Sequence, residues 1–198
     1  MRRAAVPGRV LARILVDAMH ALLFEMRPKP GHLQHYFAHV DRLRPILAQH
    51  TGLLWIDRFR SLEDPDLILS HQHWANEAAI LAWRRDAQHR RSQEAGRRVH
   101  FRDYRIRVGR SLEDGDTGAV FITVHASAPA ALPGAHAFES LNHPGAILTL
   151  AEAGSAEAAR SLLAAAAATP GLNATHAFVL CRDYGLTRRD QAPEPDLD

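Results

Sequence analysis

The chain has 198 residues, 46% of them hydrophobic and 23% charged, with a formal net charge of +2. This is the composition of an ordinary globular protein, with apolar material for one large core or two small ones. Its single cysteine, Cys181, excludes an intrachain disulfide and a cysteine-based zinc cluster, and it fits a reducing, cytoplasmic setting.

The first stretch, residues 1–18, carries Arg2, Arg3, Arg9 and Arg13 with no acid before Asp17. Arg13 and Asp17 interrupt the apolar run that a secretory signal needs, and no segment of the chain approaches a membrane span. An N-terminal arm outside the fold is expected. Residues 21–27 alternate, with Leu22, Phe24 and Met26 on one face, and predict a strand ended by Pro28, Pro30 and Gly31. Residues 32–50 have helical spacing, with a stripe of Leu33, Phe37, Val40, Leu43 and Leu47. Pro45 inside that stripe predicts a kink or a fresh helical turn. Strands follow at 52–59 and 67–74, then an N-cap at Asn76, a helix over 77–96 and a strand over 100–108. The order strand, helix, strand, strand, helix, strand is the split unit of ferredoxin-like α+β folds.

After a Gly- and Asp-rich linker at 111–118, strands are predicted at 119–128, 137–141 and 146–151, a Ser155-capped helix at 156–168 and a last strand at 175–184. The tail after Arg189, with Pro193 and Pro195, reads as disordered. The second half repeats the first. Phe59-Arg60-Ser61-Leu62 recurs as Phe138-Glu139-Ser140-Leu141, and Arg102-Asp103-Tyr104 recurs at almost the same offset as Arg182-Asp183-Tyr184. The opening strands lie farther apart than that offset by about the length of one helix. The second copy therefore lacks a helix, and the loop 129–134 replaces it. A lone four-stranded sheet with its helices on one face leaves the other face bare, and pairing the copies covers it. The expected organisation is an arm (1–18), a full unit (19–110), a linker (111–118), a shortened unit (119–190) and a disordered tail (191–198).

Residues 1–110 hold 20 basic and 11 acidic side chains, and residues 111–198 hold 4 and 11. Opposite fields favour docking of the halves. The arginines at 84, 85, 90, 91, 97 and 98 show no aromatic interleaving or nucleic-acid motif, so neither a nucleic-acid nor a membrane partner is expected.

Several motifs together resemble the antibiotic biosynthesis monooxygenase family. They are Arg27-Pro28-Lys29-Pro30-Gly31 ending a strand, Leu43-Arg44-Pro45 in the helix, Gly52 opening the next strand and Arg58-Phe59-x-Ser61. The stretch Trp74-x-x-Glu77-Ala78-x-x-x-x-Trp83, followed by His89, is the most family-like part. The resemblance covers residues 19–110 directly and 119–190 through the repeat. It implies two ferredoxin-like units, the second without its first helix, pairing face to face as an intrachain pseudo-dimeric α+β barrel of eight antiparallel strands. A further homodimer is compatible with it.

Some members of the family oxygenate phenolic polyketides without metal or flavin, some degrade haem, and many have no known activity. In the cofactor-free members a helix tryptophan is followed six residues later by tyrosine and preceded by asparagine four before. Here Trp83 keeps its place, His89 stands for the tyrosine and Ala79 for the asparagine. The haem-degrading members pair the tryptophan with a histidine ten residues on, where this chain has Gln93.

The resemblance implies a cofactor-independent monooxygenase acting on a small aromatic, phenol- or quinol-like molecule with dioxygen. The candidate bases are His89, His71 and His73, the last two sharing one strand face. Trp83, Trp74 and Phe24 are the candidates for holding a ring. No metal site is assigned, because His71 and His73 need a further ligand that the sequence does not identify. The alternatives are a non-catalytic ligand-binding or structural protein and, third, a haem protein. The histidines at 32, 35 and 39 read as a wet helix face, the Arg-Asp-Tyr repeats as structural contacts, and Cys181 as a buried thiol. The second copy has Gly154, Leu163 and Thr169 at the places of Trp74, Trp83 and His89, so chemistry is expected in the first unit.

Overall fold

The computed structural model describes residues 18–193. The arm expected at 1–18 lies outside them except for Ala18, as does the tail beyond Pro193. Of the expected tail, Gln191 is placed, its side-chain carbonyl accepting from the Asp183 amide at 2.7 Å.

The elements are β1 (His20–Pro28), α1 (Leu33–Leu47), β2 (Leu53–Ser61), β3 (Ile68–Trp74), α2 (Glu77–Arg85), α3 (Ala87–Ala95), β4 (Phe101–Ser111), β5 (Val120–Ala126), β6 (His136–Ser140), β7 (Ile147–Ala153), α4 (Ala156–Ala166) and β8 (Ala174–Gly185). The strands close into a barrel in the order β1-β3-β2-β6-β7-β5-β8-β4, and every pairing is antiparallel. Closure removes the free edges that two separate four-stranded sheets would expose.

The repeats meet their own counterparts at both seams. Across β2 and β6, Arg60 lies opposite Glu139, its equivalent at the repeat spacing, with Phe59 opposite Ser140 and Ser61 opposite Phe138. Across β4 and β8, Arg105 likewise lies opposite Gly185, its own counterpart in the second copy. A register in which one residue of each seam faces its own copy and the flanking residues face each other's copies is what a two-fold axis imposes, so the chain is a covalent pseudo-dimer. Local devices repeat as well. Ser61 Oγ accepts from the amides of Glu63 and Asp64, both at 3.1 Å, and Ser140 Oγ accepts from those of Asn142 and His143 at 3.1 and 2.9 Å. Asn76 and Ser155 cap α2 and α4 through the amides of Ala79 and Ala158.

The inward faces of all the sheets make one core, including Leu23, Phe59, Leu69, Phe121, Phe138, Leu148 and Phe178. Outside, α1 and α2 cover the first sheet through Val40, Leu43, Leu47, Ile80 and Trp83. Over the second sheet α4 works with the loop that replaces the missing helix, which contributes Ala130 and Leu132.

Three expectations need correction. No new helix starts at Pro45, since α1 runs on through it to Leu47 with the proline in its last turn. The helix expected over 77–96 is two helices broken at Asp86, followed by a π-helical turn over Gly96–His100. Cys181 is exposed rather than buried. Gly109 pairs with Leu180 and Val108 with Arg182, so Cys181 is the extra residue of a β-bulge.

Candidate functional site

The break at Asp86 builds the site. Its carboxylate caps α3 by accepting from the amides of Gln88 and His89, both at 2.9 Å. The chain thereby turns His89 back over the end of α2, and the imidazole stacks on Trp83 with ring centroids 4.1 Å apart and planes 13° from parallel. His89 Nδ1 lies 2.9 Å from the Trp83 carbonyl oxygen. That oxygen can only accept, so Nδ1 carries the proton and Nε2 is the free base. Burial pushes the His89 imidazole down to about 4, against the opposing pull of the Trp83 carbonyl and the Asp86 carboxylate. The ring is therefore neutral at neutral pH. The Gln93 amide nitrogen lies 3.1 Å from Nδ1, and His50 meets the Trp83 indole edge-on at 4.9 Å.

His89, Trp83 and Phe24 line a cavity of about 440 Å³ between the helices and the outer face of β1, β3 and β2. That volume is in the range of small-molecule sites. Its apolar wall includes Val40, Leu43, Leu47, Ile56 and Phe101, and its polar lining includes Arg58, Gln72, His39 and His100. A neighbouring space of about 120 Å³ shares Phe24, Gln72, Trp83 and His89 with it. Trp74 does not line the main cavity. It is fully buried behind it and donates its indole N–H to Gln72 Oε1 at 3.0 Å, while Gln72 Nε2 donates to Ser70 Oγ at 3.1 Å. Trp74 thus fixes the orientation of a polar group in the wall.

His71 and His73 are elsewhere. The pleat of β3 sends them to the opposite face from Gln72, into the barrel, so they share no cavity with His89. There they meet His125 of β5 and His176 of β8, which the sequence reading had not singled out. His71 stacks on His125 at 5.3 Å and touches His73 at 4.6 Å, and His73 meets His176 at 4.8 Å. Trp55 packs against three of these rings at 5.2–5.3 Å. Among the described residues, both His71 nitrogens and Nε2 of His73 and His125 have no hydrogen-bond partner. Nor is any group of His, Cys, Asp or Glu among the described residues arranged to hold a metal ion.

The repeated Arg-Asp-Tyr segments make structural contacts. Arg105 grips Asp183 with two bonds, Nε to Oδ1 at 3.0 Å and Nη2 to Oδ2 at 2.7 Å, across the β4–β8 seam. The Tyr104 hydroxyl accepts from Arg189 at 2.9 Å, and Arg182 pairs with Glu77 at 2.7 Å. The helix face of His32, His35 and His39 is less wet than expected. His35 stacks on His100 at 5.0 Å, and His39 Nδ1 lies 3.0 Å from Ser92 Oγ. Sequence reasoning missed Arg58 and Tyr36 as cavity residues. The alternation of β2 already placed Arg58 opposite the inward Phe59, and spacing with Val40 placed Tyr36 on the buried side of α1.

Residues 19–95 match the family described as antibiotic biosynthesis monooxygenase. A curated relative, jasmonate monooxygenase ABM of Pyricularia oryzae, is 40% identical over 91 residues, which are 46% of this chain. The chain spans 42% of the length of that relative. Two solved structures align with parts of this chain. One, a protein of Pseudomonas aeruginosa, is 16% identical with a TM-score of 0.44, covering 50% of this chain and 98% of its own. The other, a monooxygenase candidate from Lactobacillus acidophilus NCFM, is 8% identical with a TM-score of 0.45, covering 83% of this chain and 93% of its own. The matched segment supplies His89, Trp83, Phe24 and most of the cavity wall. Asn142 and His143 of the shortened unit reach the rim from across the β2–β6 seam. No helix among the described residues is long and apolar enough to cross a membrane.

Proposed function

We propose that the chain is a cofactor-independent monooxygenase that oxidises a small ring-bearing molecule, phenol- or quinol-like, in the cavity of its first unit. The observation that supports this most is His89 stacked on Trp83, with Nδ1 at 2.9 Å from the Trp83 carbonyl oxygen, in the wall of an apolar pocket within the family-matched segment. His89 Nε2 takes a proton from the substrate and Trp83 holds the ring face. A base pushed down to about 4 is weak, so the substrate must itself be acidic, as a phenol conjugated to a carbonyl is. The resulting carbanion gives its electrons to dioxygen and a carbon–oxygen bond forms. The proton returned from His89 adds to the outer oxygen, and loss of the remaining hydrogen on that carbon as the O–O bond breaks leaves a carbonyl, the outer oxygen departing with both hydrogens as water. Dioxygen is the only oxidant the balance requires.

The test is oxygen uptake by the full chain with a panel of hydroxyanthrones and carbonyl-conjugated phenols, with jasmonate added because the Pyricularia relative carries it in its name. Turnover that falls about 10²- to 10⁴-fold in His89→Ala supports the reading. Ligand binding with no oxygen uptake across the panel overturns it in favour of a binding protein.

A further inference from the structure

Among the described residues, Arg58 is an arginine without a counter-ion in a pocket that is mostly apolar. It stands on β2 opposite Ser70 of β3, and both line the main cavity. Its Nε is buried and has no hydrogen-bond partner among them. Its side-chain neighbour is the hydroxyl of Tyr36, a buried residue of α1. Burial raises the Tyr36 phenol and the Arg58 charge pulls it the other way, so the tyrosine stays neutral and keeps a proton to donate.

The lining holds one acid, Asp57, and it is already engaged. Asp57 is on the opposite face of β2, accepts from Ser140 Oγ at 2.7 Å and Asn142 Nδ2 at 2.6 Å, and also takes the Arg58 backbone amide at 2.7 Å. Arg44, the other lining arginine, is exposed and paired with Asp41. The remaining ionisable lining residues besides Tyr36 are His39, His89, His100 and His143, which can only add positive charge.

A half-buried guanidinium that lacks an anion is costly, and the cost persists only where something recovers it. The barrel does not need an arginine here, because the equivalent position of the shortened unit is Ala137, the residue before Phe138 as Arg58 precedes Phe59. The charge is confined to the unit that has the cavity.

We propose that Arg58, with the Tyr36 hydroxyl beside it, is an anion-recognition subsite, and that the substrate is an apolar acid whose carboxylate it binds. The planar fork of arginine matches the two oxygens of a carboxylate. One guanidinium and one hydroxyl suit a monoanion, whereas a phosphate dianion would leave a charge unmatched. This inference rests on the cavity being the substrate site, and it narrows the substrate to acids whose ring is held near Trp83 and His89.

The experiment is calorimetric titration of the full chain near neutral pH with 1-naphthylacetate and with its neutral amide, which differ in charge but hardly in shape. The expected result is that the acid binds about tenfold or more tightly than the amide, as a charge-assisted pair in a dry site allows. Arg58→Gln should abolish that preference and leave amide binding within about twofold, and Arg58→Lys should keep part of it, since an ammonium cannot make the paired contact. The preference should also shrink with added salt. Equal binding of acid and amide, a preference that survives Arg58→Gln, or no binding of either probe overturns the proposal. Unfolding of Arg58→Gln, read by circular dichroism, moves the decision to Arg58→Lys and Tyr36→Phe, both of which must weaken the acid more than the amide. The outcome is separable from the oxygenase reading. Acid preference without oxygen uptake removes the oxygenase and keeps the subsite. Oxygen uptake with neutral phenols at a KM indifferent to Arg58→Gln does the reverse.

Discussion

At the scale of single residues, Gly109 shows how closely the two units fit. It sits in β4 facing the barrel interior, and a Cβ there would lie 2.5 Å from Phe121 Cε1 and 2.8 Å from Phe178 Cβ. Both phenylalanines are fully buried, so they have nowhere to move. Gly109→Ala should cost about 1–3 kcal/mol through overpacking, read as a lowered urea midpoint with an unchanged slope. Trp74→Phe isolates a second residue-scale effect. It keeps the ring in the core but removes the donor that holds Gln72, leaving a buried carbonyl unsatisfied. A loss of about 1–3 kcal/mol is expected, with weaker ligand binding in the cavity that Gln72 lines. Neither consequence was legible from the residue strings. The indole could be read as buried or as ring-holding, and only the hydrogen bond shows which polar group depends on it.

At the scale of elements, the junction of α2 and α3 matters most. Hydrophobic periodicity through 77–96 suggested one continuous helix, because the polar run after Arg85 neither supports nor contradicts an amphipathic pattern. The signal for a break was there in Asp86, a good N-cap type three residues ahead of His89, but aspartate is equally common on exposed helix faces. The cap joins stability to chemistry. Asp86→Ala should cost about 0.5–2 kcal/mol and also lower kcat, because His89 loses the anchor of its backbone. Asp86→Asn retains an acceptor and should restore most of the stability, which separates the cap from the charge. The readout is paired thermal melts and turnover of the two variants. Other elements were plain in the sequence. The Asn76 and Ser155 caps, the strand alternation and the loop in place of a helix all rest on local chemistry that acts within a few residues.

At the scale of the whole molecule, the barrel interior makes the fold sensitive to acid. His71, His73, His125 and His176 face one another from β3, β5 and β8, with Asp57 of β2 the nearby carboxylate. Among the other charges of the barrel wall, Arg107 is paired with Glu25 and Glu152, and Arg105 with Asp183. Burial pushes His71 well below its usual range, His73 and His125 down to about 4, and His176 down, with mutual repulsion adding to the effect for the first three. Folding thus disfavours the protonated forms. Their contribution to stability is complete above the ordinary histidine value of 6.5 and is lost as the pH falls toward about 4. Asp183 acts in the same sense at lower pH. Arg105, chiefly, and Arg188 hold its carboxyl below the usual range, so its contribution disappears as acid protonates it. The urea midpoint should therefore fall steeply between pH 7 and pH 4, and His71→Leu should flatten that slope. A midpoint indifferent to pH over this range would show that the four rings are not buried together.

The duplication, the alternation of most strands, the caps and the absence from the second copy of counterparts to Trp74, Trp83 and His89 were determined by sequence alone. Each depends on spacing or on contacts a few residues long. The shared fate of distant residues was decided only in three dimensions. A histidine on a strand reads the same whether it faces a ligand cavity or a sealed barrel, because alternation fixes which residues share a face but not which face meets which partner. Closure of the barrel sent His71 and His73 toward His125 and His176, and the outer face took Arg58 to Tyr36 and His89. Those encounters join residues far apart along the chain, and burial, which sets their charge and proton affinity, exists only once both copies have folded onto each other.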